Sequence, residues 1–371
     1  MRVLRKRYRR YKGYENLLIW SVLGLVFLGI IMVFSSSSIV AFRKFGDPYY
    51  FFKKHLIFVI LGSLTTAVIW KLPIKKLLNS KWTYLLLATS FVLLLLTLTP
   101  LGPKIGGAKR WIKLGFFSFQ PLEIAKISLV FYLSYFFSNK QDIVKSYIGF
   151  VVPFLITSVL ALPLVFQPDF GGFMFLYMIF FLMAFAGGIN LFYLFSLIFP
   201  LGALAIFLIY CAPYRWHRLM SYVYSLKGID HLSYQIKQSI YALGCGGLFG
   251  VGLGESKQKL FYLPESFTDF VMSILGEEMG FLGLSFVFLC LGIIMFVVFF
   301  NVIQKEDLWD KLVILGAGSI LIIGALLHIG VVLGAVPPKG TPMPFISYGG
   351  SNLLAMFCCV GIILNVIRFE G

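Results

Sequence analysis

The sequence predicts an all-α polytopic integral membrane protein with about ten transmembrane helices, and three observations carry that prediction. Of its 371 residues, 59% are hydrophobic and only 13% charged, against roughly 45–50% and about 25% in a soluble globular domain. Mean hydropathy is +0.91. The apolar residues gather into runs near the length a helix needs to cross a bilayer core, about 20 residues. Open sheet and lipid-exposed coil cannot exist at that depth, because their backbone groups would go unpaired. Too few charges remain to cover a water-facing surface, which excludes an ordinary soluble protein.

The runs, in order, are Asn16 to Phe34, His55 to Trp70, Trp82 to Thr99, Pro121 to Phe137, Tyr147 to Phe166, Gly172 to Ala186, Leu191 to Tyr210, Thr268 to Phe300, Leu312 to Gly334 and Gly350 to Ile367. The first follows a basic leader over residues 1–15, carrying Arg2, Arg5, Lys6, Arg7, Arg9, Arg10 and Lys12. No small-residue cleavage site separates the two, so the first run reads as a retained anchor. Lys and Arg favour the cytoplasmic side. The leader, with Lys71, Lys75, Lys76 and Lys81 after the second run, therefore places both termini in the cytoplasm. A large segment, 212–267, then lies outside between spans seven and eight, and it holds Gly244, Gly246, Gly247, Gly250, Gly252 and Gly254. Long ordered loops usually carry function, and glycines there permit tight turns and close packing. No internal repeat or linker divides residues 1–371, so the chain reads as one domain. The five cysteines show neither CxxC nor Cys/His spacing and read as small hydrophobes.

The charge is lopsided: 32 Lys and Arg against 15 Asp and Glu, a formal +17. Divided by the expected topology, sixteen basic residues fall inside, fifteen outside, and Lys126 within a span. Basic loops on the translocated side oppose the positive-inside tendency. A ligand bearing phosphates at the outer face would account for them, and nucleic acid drops out as a partner.

Ionisable residues inside spans are costly and mark functional cavities. In Gln120-Pro121-Leu122-Glu123-Ile124-Ala125-Lys126, Pro121 suits a first helical turn. Glu123 and Lys126, spaced i and i+3, can meet on one face, either as a locking ion pair or as a cation and its carboxylate at a cavity wall. Asp169, in Gln167-Pro168-Asp169-Phe170-Gly171-Gly172, can cap the sixth span. His328 reads as a hydrogen-bonding core residue. Glu277 and Glu278 lie between Gly276 and Gly280, a small-xxx-small spacing that lets helices approach closely. Asp269 is the sharpest candidate. Within Leu263-Pro264-Glu265-Ser266-Phe267-Thr268-Asp269-Phe270, the pattern predicts Ser266 or Thr268 as N-cap and Asp269 in the first turn of the eighth span, where the helix dipole favours a carboxylate. Such a carboxylate beside cations is what sugar transfer from a lipid-linked diphosphate needs: a base for the acceptor hydroxyl and counter-charge for the departing phosphate.

A series of motifs runs in order along the chain: Gly107-Ala108-Lys109-Arg110-Trp111-Ile112, Gln120-Pro121 through Lys126, Gln167-Pro168-Asp169, Tyr214-Arg215 with Arg218, Tyr262-Leu263-Pro264-Glu265, Thr268-Asp269-Phe270, Gly276-Glu277-Glu278 and Pro344-Phe345-Ile346-Ser347-Tyr348-Gly349-Gly350-Ser351. Together they resemble the SEDS family, the FtsW/RodA/SpoVE peptidoglycan polymerases. Gln258-Lys259 and Pro338-Lys339-Gly340 are more similar to the division-type branch. The resemblance implies an inverting peptidoglycan glycosyltransferase that polymerises lipid II at the outer face of the bacterial cytoplasmic membrane for septal wall synthesis. It implies Asp269 as the base, and Arg110, Glu123, Lys126, Asp169, Arg215, Arg218, Lys339 and Ser347 as polar positions around the substrate. Its implied partners are lipid II and the growing glycan strand, a class B penicillin-binding protein transpeptidase (FtsI-like) and other division proteins. No cofactor is evident; magnesium or manganese could assist, but no closed ligand set is visible. Ser266-Phe267 stands where relatives usually carry Ala-His, Asn352 and Leu122 each replace a usual serine, and the Asn-Pro and Asp-Pro elements after the Tyr-Arg motif are missing. Two other readings are an elongation-type polymerase and a lipid II flippase, the latter with Lys126, Asp169 and Glu277 along a path.

Overall fold

A computed structural model describes residues 2–104, 107–115, 117–211, 216, 219–220, 222–223, 233–337 and 340–368. The ten predicted runs each coincide with a helix: α1 Arg2–Phe45, α2 Tyr50–Lys71, α4 Ser80–Leu96 (after the single turn α3, Ile74–Leu77), α5 Pro121–Asn139, α7 Tyr147–Phe166 (after α6, Gln141–Val144), α8 Phe170–Ala186, α9 Leu191–Tyr210, α11 Val271–Gln304, α12 Leu308–Val332 and α13 Gly350–Arg368. Six of these are long and apolar enough to cross a membrane, and the helices at 80–96, 170–186 and 191–204 are shorter apolar ones. The tenth, α5, carries Glu123 and Lys126 and is buried on nearly every side, with Leu129, Tyr132, Leu133 and Phe137 inaccessible. Helix α1 is longer than expected, continuing through the basic leader and ten residues or so past Phe34. Side-chain caps start several helices: Asn79, Ser146, Asn190 and Asp307 each accept a backbone N–H of the following turn.

Two features depart from the all-helical expectation. Residues Ile112–Leu114 (β1) and Phe117–Phe119 (β2) pair antiparallel, Ile112 opposite Phe119. Strands of three residues are too short for an alternating pattern to register, so the sequence did not disclose this hairpin. Ser351 Oγ donates to Ser118 O (3.0 Å) and accepts from Gln120 N (3.2 Å), tying the hairpin and the start of α5 to the start of α13. The second feature is a break inside α11. At Gly280 the backbone turns to φ 62°, a region open to glycine at little cost.

That break leaves carbonyls and N–H groups without helical partners, and the segment following α10 (Tyr234–Gly246) supplies them. Val251 N donates to Glu277 O (2.9 Å) and Gly252 N to Glu278 O (3.1 Å), while Phe281 N and Leu282 N donate to Gly247 O (2.9 Å) and Leu248 O (3.2 Å). Gly250, at φ 82°, lies so near this backbone that a Cβ would fall 2.2 Å from Glu278 O. The Glu277 and Glu278 side chains seal the same joint. Glu277 accepts from Ser256 Oγ and from Lys257 N (3.0 Å). Glu278 pairs with Lys259 Nζ at 2.7 Å and accepts from Ser35 Oγ of α1 at 2.7 Å. Lys259, one of the basic residues assigned by sequence to an outer, ligand-facing surface, is 4% exposed.

At the far end of the bundle, Asn365 Nδ2 donates to Ile69 O (2.8 Å) and Trp70 O (3.1 Å), and Lys75 bridges to Asp310 (3.1 Å), so α13 is clamped to α2, and α12 to the short α3 that follows α2. Gly250→Ala is expected to lower stability by about 2 kcal/mol or more, through left-handed strain plus the clash with Glu278 O. Thermal unfolding of the purified chain in detergent measures this, and an unchanged midpoint would refute the interlock.

Candidate functional site

The helix ends opposite that clamp enclose a cleft of about 510 Å³, its open mouth included. Its walls come from several segments: Arg110 before the hairpin, Gln120 after it, Glu123 and Lys126 from α5, Asp169 at the start of α8, Gly340, Thr341 and Pro342 from the segment after α12, and Asn352 from α13. Local chemistry explains each placement. Pro121 opens α5 and sets Glu123 in its first turn. Asp169 Oδ1 accepts from Gly172 N at 3.1 Å, the N-cap of α8. Glu123 and Lys126 do meet on one face, Nζ to Oε2 2.7 Å, both about 5% exposed. Lys126 Nζ also lies 4.6 Å from the centre of the Phe175 ring, a cation–π contact.

Among the described residues the cleft therefore contains two cations, Arg110 and Lys126, each with a carboxylate beside it. Arg110 Nη2 donates to Pro168 O at 3.1 Å. Its Nε stands 3.6 Å from Asp169 Oδ1, too far for a hydrogen bond. Arg110 Nε and Thr341 Oγ1 are buried without a hydrogen-bond partner among the described residues. Buried polar atoms are normally satisfied, so these two hold hydrogen-bonding capacity that the described residues leave unused. No three His, Cys, Asp or Glu residues gather at metal-binding distance among the described residues.

Asp269 stands behind this wall. A Cβ at Gly340 would lie 2.9 Å from Asp269 Oδ2, so the carboxylate rests against a residue of the cleft that has no side chain. The expected helix start is corrected here: α11 begins at Val271 with Phe270 as its N-cap residue, and neither Ser266 nor Thr268 caps it. Asp269 belongs instead to a tight turn in which Thr268 N (3.2 Å), Asp269 N (3.0 Å) and Phe270 N (3.3 Å) all donate to Glu265 O. Glu265 itself has φ 56°.

Ser347 does not line the cleft. Its hydroxyl donates to Thr268 O (2.6 Å) and accepts from Met343 N (2.8 Å), and Tyr348 N donates to Phe267 O (3.0 Å). The Tyr348 ring packs against Phe51 and Phe267 at 5.1 and 5.9 Å, and burial pushes its phenol up to about 12. The segment 343–348 is thus a bracket for the Asp269 turn. Arg215, Arg218 and Lys339 lie outside the described residues. Glu277 is engaged with Ser256 and Lys257 and is not in the cleft wall, so Lys126, Asp169 and Glu277 do not form one path. Sequence reasoning missed Thr341 as a cleft residue: a lone threonine between glycine and proline carries no signal of its own.

A family model described as "Cell cycle protein", FTSW_RODA_SPOVE, matches residues 16–371. The chain belongs to the FtsW/RodA/SpoVE family. It is 36% identical over 376 residues to a probable peptidoglycan glycosyltransferase FtsW of Trichlorobacter lovleyi, covering 99% of this chain and 96% of that one. It is 37% identical over 360 residues to stage V sporulation protein E of Bacillus subtilis, covering 96% and 97%. Among solved structures, a chain from a study titled "Structural coordination of polymerization and crosslinking by a peptidoglycan synthase complex" superimposes with TM-score 0.74 at 26% identity, covering 95% and 96%. The rod shape determining protein RodA of Thermus thermophilus superimposes with TM-score 0.70 at 26% identity, covering 95% of each chain.

The buried pair at the centre of this family member's cleft gives a direct test. Lys126→Met leaves the Glu123 charge buried alone and is expected to cost about 3–5 kcal/mol. Adding Glu123→Leu should restore most of that loss. Thermal denaturation of both variants reads the outcome, and a single variant as stable as the parent would contradict a buried ion pair.

Proposed function

We propose that this chain is a peptidoglycan glycosyltransferase that polymerises lipid II for the septal wall. The observation that carries the reading is the carboxylate of Asp269 resting against Gly340, behind a cleft lined by the paired charges of Arg110, Glu123, Lys126 and Asp169. Family membership supports the chemistry. The septal role is consistent with 36% identity over nearly the whole chain to a relative named FtsW.

In the proposed reaction the Asp269 carboxylate takes the proton from the acceptor sugar hydroxyl as that oxygen bonds to the donor's anomeric carbon. The bond from that carbon to the lipid diphosphate breaks on the opposite side, inverting the centre, and the electron pair leaves with the phosphate. General-base help of this kind contributes about 10²–10⁴-fold. Arg110 and Lys126 offer donors to the leaving diphosphate, with Arg215, Arg218 and Lys339 as further cations. Glu123, Asp169, Thr341 and Asn352 accept and donate hydrogen bonds to the sugar or its amides, and Ser347 holds the Asp269 turn.

The reading carries its own orientation: both termini in the cytoplasm, the cleft and the segment 212–267 outside, in one transmembrane domain in the cytoplasmic membrane. The basic leader supports it. The likeness to a chain of a solved peptidoglycan synthase complex supports a crosslinking partner, here a class B penicillin-binding protein of the FtsI type, within a larger division assembly. Asp269→Asn in the reconstituted chain is expected to lower lipid II polymerisation by about 10²–10⁴-fold with the thermal midpoint unchanged. Normal glycan synthesis by that variant would end the assignment of Asp269 as base.

A further inference from the structure

His328 is fully buried in α12 and unused by the chemistry above. Its Nδ1 lies 2.7 Å from Thr341 O. A carbonyl only accepts, so Nδ1 must carry the proton. Nε2 has no hydrogen-bond partner among the described residues. Among the described residues the ring therefore makes a single directed bond, and that bond ends on the residue next to Gly340.

The position of Gly340 matters because of what it touches. Its Cα faces the Asp269 carboxylate, with a Cβ placed there only 2.9 Å from Oδ2 and 3.5 Å from both Oδ1 and Cγ. The same segment is fixed further along by Ser347, which accepts from Met343 N and donates to Thr268 O, directly before Asp269. Asp269 is thus confined from two directions. The Ser347 bracket holds its backbone, and the 340–341 strap limits where its carboxylate can swing. The bracket is anchored on the Asp269 turn itself. The strap is anchored on α12 through His328.

We propose that His328 is a positioning residue for the glycosyl transfer: by donating Nδ1–H to Thr341 O it holds Gly340 against the Asp269 carboxylate and aims that carboxylate at the acceptor hydroxyl. The inference rests on the reading of Asp269 as base. The strap also forms one wall of the cleft, so one hydrogen bond sets the wall and the base together. A displacement of about 1 Å in a reacting group costs on the order of 100-fold in rate, so a single bond at this place has leverage on kcat.

The test uses the full chain reconstituted in membranes with lipid II, comparing His328→Phe, His328→Asn, Gly340→Ala and Asp269→Asn. Phe keeps the ring and loses the donor. Asn keeps a donor near the place of Nδ1. His328→Phe is expected to lower kcat about tenfold to a hundredfold with KM for lipid II unchanged, and His328→Asn to recover most of that loss. Gly340→Ala should lower kcat without lowering the thermal midpoint, and combining it with His328→Phe should add little, because both act on one strap. Full kcat in His328→Phe alongside an inactive Asp269→Asn overturns the positioning role and leaves the base in place. Equal loss of kcat in Phe and Asn, matched by equal falls in thermal midpoint, also overturns it, since that is the mark of a merely structural histidine. Normal polymerisation by Asp269→Asn removes the base and this inference with it.

Discussion

A helix that breaks within an apolar environment must find new partners for every backbone group it exposes, and here that demand is met by one segment of the same chain. The turn at Gly280 opens α11, and residues 247–252 close it with four backbone hydrogen bonds. The loop that follows cannot wander, because Ser256, Lys257 and Lys259 are caught by Glu277 and Glu278. The chain then has only a short distance to travel before the turn at Glu265 and Asp269. The position of the proposed base is therefore inherited from a joint made of glycine backbone and two buried carboxylates.

From the other side comes the segment 340–348, which neither helix nor strand organises. It is defined by what it touches: His328 through Thr341, the Asp269 carboxylate through Gly340, and the 267–268 backbone through Tyr348 and Ser347. The hairpin completes the enclosure by joining the starts of α5 and α13 through Ser351. Arg110 and Lys126 thus line one cleft with Gly340, and Gly340 carries the Asp269 carboxylate against it, although residues 110–126, 269 and 340 belong to distant segments.

The extent to which this could be read from the sequence follows the range of the interactions. The ten apolar runs were legible because bilayer thickness imposes a length that a single window reveals. The Glu123–Lys126 pair and the Asp169 cap were legible because three residues of separation decide them. The start of α11 was misplaced by a few residues, since the Glu265 turn captures the N–H groups that a cap at Ser266 or Thr268 would have served. Gly340, Thr341 and the work of Ser347 were not legible, because each acts on a partner in a distant segment and leaves no local pattern. The charge count misled in one respect. Lys259 adds to the positive total, yet it is sealed against Glu278 and Ser35 and offers nothing to a ligand.

The pairing of each cleft cation with a carboxylate bears on turnover. Lys126 has Glu123 at 2.7 Å and Arg110 has Asp169 at 3.6 Å, so in the proposed reaction an arriving phosphate competes with an anion already in residence. Resident counter-ions cap how tightly any single anion can be held. If the proposed transfer releases a lipid diphosphate here at every addition, modest retention keeps the site open to the next substrate.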